Sequence, residues 1–195
     1  MNNFPINIRP NLVGDLPEIH PSAIIDPSAQ IIGNVKVGEN VFIAPLTVIR
    51  ADEQGPDGKV APIIIGEEVG IQDGVIIHSK GGESVTIGAR TSVGHGVVIH
   101  GPCSIGEDCF IAMRSTVYSS YIESSVWVGM GSTIIRATIS GQSYVETGTI
   151  IRSRNDGRDI RLISMKEKQY MQEVLEAANT LREQYKKMRA REMAK

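Results

Sequence analysis

The chain has 195 residues, with 20 Lys plus Arg against 22 Asp plus Glu and a formal net charge of -2. That near balance argues against a nucleic-acid partner, whose binding rests on an excess of basic side chains. No run of about 18 apolar residues occurs to span a membrane, and two cysteines without paired metal-type spacing read as free thiols of a cytoplasmic protein.

The first residues, MNNFPINIRPNLVG, read as an N-terminal extension without the apolar core of a signal peptide. A period of six begins at Ile19 and runs Ile25, Ile31, Val37, Ile43, Ile49. After a polar stretch it resumes at Ile65, Ile71, Ile77, and after a shorter one at Ile87, Val93, Ile99, Ile105, Ile111, Val117. Two one-residue slips then give Ile122, Val128, Ile134 and Ile139, Val145, Ile151. All 21 positions are Ile or Val although those types fill only 44 of 195 places, so the period is not chance.

A second register runs two residues ahead, in compact side chains such as Ala23, Ala29, Val35, Thr47, Val75, Thr91, Cys103, Cys109 and Ser115. Gly often follows the aliphatic, as at Gly38, Gly66, Gly88, Gly94, Gly106 and Gly129. Six is neither a helical period nor a simple alternation. It requires a short strand and a corner, repeated, with Gly or a polar residue turning the corner. Three such units close a triangular coil, and stacked coils bury one continuous core. The 21 units make seven coils over residues 17–153, roughly 30 Å tall at the strand spacing.

All four histidines fall within this prism, and three of them lie in its middle coils. Ile49, Ile77 and Ile99 close the third face of coils two, three and four, so Arg50, His78 and His100 stack in one column, about 4.8 Å per step. His78 and His100 are near enough to share a metal. His95 follows Val93 on the second face, in a different column, directly above Asp73 and close to Gln72. It can join the pair of a neighbouring prism packed about a threefold axis. Arg50 of one chain would then face Asp73 of the next. His20, beside Pro21, reads as polar surface, and Cys103 and Cys109 as core. Trp127 precedes core Val128 and should face outward, onto the tail helix or another subunit.

From Ser164 the chain contains neither Gly nor Pro. Ser164 and Glu167 form a capping box, and Tyr170, Val174, Ala178, Leu181, Tyr185 and Met188 recur at helical spacing. The organisation is therefore a β-helix domain with its N-terminal extension over residues 1–163 and an α-helix over 164–195 that packs on the prism. The run YKKMRAREMAK reads as a solvated basic helix end.

The segments PLTVIRADE (45–53), IQDGVIIH (71–78) and GHGVVIHGP (94–102) resemble those of gamma-class carbonic anhydrases, a hexapeptide-repeat family. The resemblance covers residues 21–151 and implies an all-β, left-handed parallel β-helix with a long C-terminal helix. It implies a homotrimer with zinc between subunits, held by His78 and His100 of one chain and His95 of the next. Fe2+ or Co2+ also suits three imidazoles. Gln72 would hydrogen-bond the metal's water, Arg50, Asp52 and Asp73 would lock the interface, and Glu53 would assist proton transfer. The implied reaction is hydration of CO2 to bicarbonate. The founding type carries a long acidic loop after its first histidine ligand; here that loop is SKGGESV, with Glu83 its sole carboxylate, whereas QGPDGKVAP (54–62) is longer. The competing functions on this fold are an acyltransferase using acyl-coenzyme A, with one histidine as base, and a non-catalytic relative that keeps the metal as an interface staple.

Overall fold

The computed structural model describes residues 7–153 and 160–193. The first six residues of the extension and the last two of the basic run lie outside them. Short parallel strands build three faces of a left-handed parallel β-helix of about seven coils. The first face runs from Glu18–Ile19 to Thr138–Ile139, the second from Ile24–Ile25 to Ser143–Val145, and the third from Gln30–Gly33 to Ile150–Ile151. The six-step series points inward: apart from the partly buried Ile19, every member is buried. Residues such as Ile77 and Ile99 face each other directly across the ladder. Burying each Ile or Val contributes about 1.5–3 kcal/mol, which is why coils so short in strand can stack. Cys103 and Cys109 sit among them as free thiols, and burial pushes the Cys109 thiol up to about 11.

Two glycine columns have different causes. The glycines that directly follow the aliphatic do not turn the corner through backbone freedom, as the sequence suggests. They are required because coils pass too close: a Cβ on Gly106 would lie 2.5 Å from Ser124 N, and one on Gly129 2.5 Å from Thr147 N. The turn itself comes two residues later, where Asn40, Glu68, Arg90, Gly96, Asp108 and Gly131 have φ between 53° and 66°. Only glycine adopts that region without strain, yet four of these six are not glycine.

Two strands escape the period. Ile8–Arg9, in the extension, adds in parallel below the third face with Ile8 opposite Ile31. Arg161–Leu162 returns antiparallel against Ser143–Val145 on the second face. The chain then enters α1 (Met165–Met193). The capping box forms: Ser164 N–H donates to Glu167 Oε2 at 2.7 Å and Glu167 N–H donates to Ser164 Oγ at 3.4 Å. Arg161 clamps the same carboxylate through both Nη atoms.

The helix lies on the second face. Gly70 lets it approach, since a Cβ there would stand 3.2 Å from the Ala178 Cβ. Trp127 meets Tyr170 with ring centroids 5.3 Å apart, and Phe42 meets Tyr185 at 5.7 Å. The buried stripe is rotated from the expected one. Leu175, Ala178 and Arg182 face in, while Leu181 and Met188 are 38% and 46% exposed. The close approach at Gly70 turns Ala178, with Leu175 and Arg182 on either side of it, onto the sheet. Arg182 is satisfied there, donating to Asn40 O at 2.6 Å. Among the described residues no helix is long and apolar enough to cross a membrane.

Candidate metal site

On the third face, side chains alternate in and out along each strand. Ile49, Ile77 and Ile99 point inward and are fully buried, so Arg50, His78 and His100 point outward. Their register is direct: Arg50 lies opposite His78, His78 opposite His100, and His100 opposite Tyr118. The His78 and His100 rings are 5.2 Å apart, edge to face at 77°.

Each histidine has a defined state. His100 Nδ1 lies 3.1 Å from Gly101 O. The tautomer with its proton on Nδ1 donates to that carbonyl and leaves Nε2 with a free lone pair, the arrangement that orients histidine ligands. His78 is 12% exposed at its side chain, and its Nε2 is buried with no hydrogen-bond partner. Burial, then the nearby Arg50 charge, lowers its pKa, while Glu53 opposes them. The neutral imidazole that results is the ligand form.

Carboxylates gather beside this pair. Asp52 Oδ2 accepts from Arg50 Nη1 at 2.8 Å, while its Oδ1 stands 3.4 Å from His78 Nε2. Glu53 Oε1 is 3.5 Å from the same nitrogen, and its other oxygen accepts from Gly81 N–H at 3.2 Å. Gly81 belongs to the loop after His78, and it packs on the longer loop after Glu53: a Cβ there would be 2.1 Å from Gln54 O. The two loops therefore brace one another at the rim of the site. Glu83 enters this bracing through its backbone, its carbonyl accepting from Ser79 Oγ at 2.6 Å.

The second column is separate. Asp73 Oδ2 lies 2.6 Å from His95 Nδ1, with Gly96 N–H donating to Asp73 O one coil below. Both side chains are about half exposed. The Gln72 amide nitrogen sits 4.0 Å from where a Gly70 Cβ would be, on the α1 side of the second face. The structure thus brings together Arg50, Asp52, Glu53, His78 and His100, and apart from them Asp73 and His95, with Gln72 next in the chain. Among the described residues of one chain, no three His, Cys, Asp or Glu converge to hold a metal.

An orphaned, buried imidazole nitrogen beside a second imidazole with an available nitrogen is a donor set that a borderline metal such as zinc fits. The sequence reading missed two contributors. Tyr118 follows Val117 just as His100 follows Ile99, so the same register finds it; its ring is 5.4 Å from that of His100. The Gly81 contact has no such signal, because it depends on loop conformation.

Residues 17–51 and 84–119 match the family described as bacterial transferase hexapeptide (six repeats). The chain is 32% identical to a carbonic anhydrase of Methanosarcina thermophila, over 76% of this chain and 68% of that one. It is 34% identical to the carboxysome assembly protein CcmM of a Nostoc species, over 86% of this chain but 31% of that protein, so it spans about a third of that relative's length. Among solved structures, a hexapeptide transferase family protein from Anaplasma phagocytophilum superposes with a TM-score of 0.70 at 26% identity, covering 91% of this chain and 97% of that one.

Proposed function

The chain belongs to the hexapeptide-repeat family that includes gamma carbonic anhydrase, and from that premise we propose that it is a metal-dependent carbonic anhydrase, hydrating CO2 to bicarbonate at sites shared between subunits of a homotrimer. The observation that carries this reading is the orphaned His78 Nε2 beside His100, whose Nε2 the Gly101 carbonyl leaves unoccupied. His78 and His100 of one subunit and His95 of the next would hold the metal: zinc, or Fe2+ or Co2+. Such a metal supplies a Lewis acid that makes water ionise near neutral pH.

The chain's own residues do the rest. Asp73 accepts the His95 Nδ1 proton, fixing that ring and leaving its Nε2 as the ligand atom. Arg50 holds Asp52, and with Asp73 of the neighbour these charges would lock the interface. Gln72 would orient the attacking water. Hydration of CO2 yields bicarbonate and one proton, and that proton must reach solvent. Glu53 suits the relay: half exposed, held by Gly81 N–H at one oxygen, with the other facing the histidine pair. The free thiols suit a cytoplasmic setting.

CO2 hydration by metal-loaded protein tests the reading; no rate above that of the metal-stripped protein rejects it. The likeness to a hexapeptide transferase favours a second reading, acyl transfer from an acyl-coenzyme A, which metal-independent turnover of acetyl-coenzyme A would establish. The identity to CcmM favours a third, a non-catalytic staple in a larger assembly, marked by bound metal without turnover.

A further inference from the structure

Tyr118 ends the strand Thr116–Tyr118, one coil above His100. Its ring lies 5.4 Å from the His100 ring at 30°, closer to parallel than any other ring contact of either residue. It stays 36% exposed. Below it, the same corner of the prism carries the braced loops that follow Asp52 and Ser79. At the Tyr118 level there is no loop, and the tyrosine ring is the element above the imidazole.

The backbone under that ring is held from three sides. Ser119 N–H donates to His100 O at 3.0 Å, Arg136 N–H donates to Tyr118 O at 2.9 Å, and the fully buried Ser120 hydroxyl donates to the same carbonyl at 2.8 Å. Ser119 takes φ 48° at the corner where the six-residue period loses one residue. The Arg136 guanidinium lies over the ring, 6.0 Å from its centroid. A tight corner thus fixes a flat side chain against one face of His100. His78 meets that imidazole edge to face, and Gly101 O takes its Nδ1 proton. The hydrogen bond alone sets one atom; the tilted ring beside it limits rotation about the side-chain bond.

We propose that Tyr118 is a positioning residue of this site, its ring holding the His100 imidazole in the orientation that keeps Nδ1 on Gly101 O and Nε2 available for metal. The proposal rests on the metal reading for its consequence, but not for the ring contact itself. Groups that orient metal ligands typically change affinity by about 10–100-fold when removed. Tyr118→Ala should weaken Co2+ binding about tenfold or more and alter the Co2+ absorption spectrum. Tyr118→Phe, which keeps the ring, should match the wild type in both. In metal-free protein with labelled histidines, Tyr118→Ala should move the His100 ring signals and mix its tautomers, leaving His95 unmoved. Wild-type affinity and wild-type His100 signals in Tyr118→Ala overturn the proposal. So does a Phe variant as poor as Ala, which would assign the effect to the hydroxyl. If Tyr118→Ala does not fold, Tyr118→Leu fills the space without a flat ring and must show the same losses. If the wild-type protein takes up no Co2+, the metal reading fails separately, and the His100 signals alone decide Tyr118.

Discussion

His78 Nε2 and Asp52 Oδ1 stand 3.4 Å apart, both buried, and neither makes a hydrogen bond. Opposite formal charges at that range count as an ion pair by distance, but the atoms are not aligned to share a proton, and the lowered pKa of His78 leaves it neutral. A buried polar atom without a partner costs about 1–3 kcal/mol. Two such atoms side by side mark a cluster that no described residue of this chain completes.

Metal should complete it, at one ion per chain. His78→Ala, His95→Ala and His100→Ala should each lose zinc on dialysis against a weak chelator, because two imidazoles hold zinc poorly. Elemental analysis showing full occupancy in any one variant would remove that residue from the ligand set. Mixing inactive His95→Ala chains with inactive His100→Ala chains should recover part of the activity, since some interfaces then hold all three ligands. No recovery in demonstrably mixed trimers would count against a site shared between subunits.

The prism and the His78–His100 pair were legible in the sequence, because a period of six leaves no freedom of register. Once Ile77 and Ile99 point inward, His78 and His100 must stack outside, and they do. The Asp73–His95 column followed from the same step. The helix was legible in extent and cap but not in facing, because which stripe buries depends on Gly70, a missing side chain on another element. Ile8–Arg9 and Arg161–Leu162 were not legible, since two residues carry no period.

Glu53→Ala should lower CO2 hydration most in weakly buffered solution, and small buffers such as imidazole should restore part of it. The carboxylate bridges Gly81 N–H and the histidine pair, so its loss removes a relay rather than a ligand. Stopped-flow turnover independent of buffer in both proteins would exclude Glu53 as the shuttle.

The two glycine columns separate in stability. Gly129→Ala forces a Cβ within 2.5 Å of Thr147 N in the next coil, an overpacking that should cost about 1–3 kcal/mol. Gly131→Ala meets nothing within 4 Å and suffers only from φ 64°, at about 1–2 kcal/mol. Shortening the neighbouring side chains should relieve neither variant, because one clash is with backbone and the other strain is torsional. Urea unfolding in which Gly129→Ala is unperturbed would refute the close approach of those coils.

Acid should release α1 before it melts the prism. The Arg161 guanidinium holds the Glu167 carboxylate down at about 2, from an ordinary 4.5, with Ser164 N–H assisting. A depressed carboxylate stabilises the fold fully above its unfolded value, and the contribution fades as pH falls from about 4.5 towards 2. Glu167→Gln should therefore destabilise helix docking at pH 7 and match the wild type near pH 2. Trp127 fluorescence reports it, because Trp127 packs on Tyr170 of α1. A pH-independent difference between the two proteins would assign the effect to packing instead.

Arg50 decides whether the two columns meet. Within one chain it pairs with Asp52 at 2.8 Å, and the guanidinium side chain is 42% exposed. A pair that open contributes about 0–1 kcal/mol, so in an isolated chain Arg50→Ala would be nearly silent. In a trimer that aligns His95 of the neighbour with His78 and His100, Asp73 of that neighbour arrives one coil lower, at the level of Arg50. Arg50 would then be buried between two carboxylates, and removing it would strand them at a cost of about 3–5 kcal/mol. Arg50→Ala should shift the protein towards monomers on dilution and weaken metal binding without touching a ligand. Arg50→Lys should rescue only partly, because an ammonium cannot fork between two carboxylates. Double-mutant cycles on trimer dissociation discriminate the two arrangements: strong coupling of Arg50 with Asp73 supports the shared site. Coupling with Asp52 alone, and none with Asp73, would mean that the histidine columns never face each other.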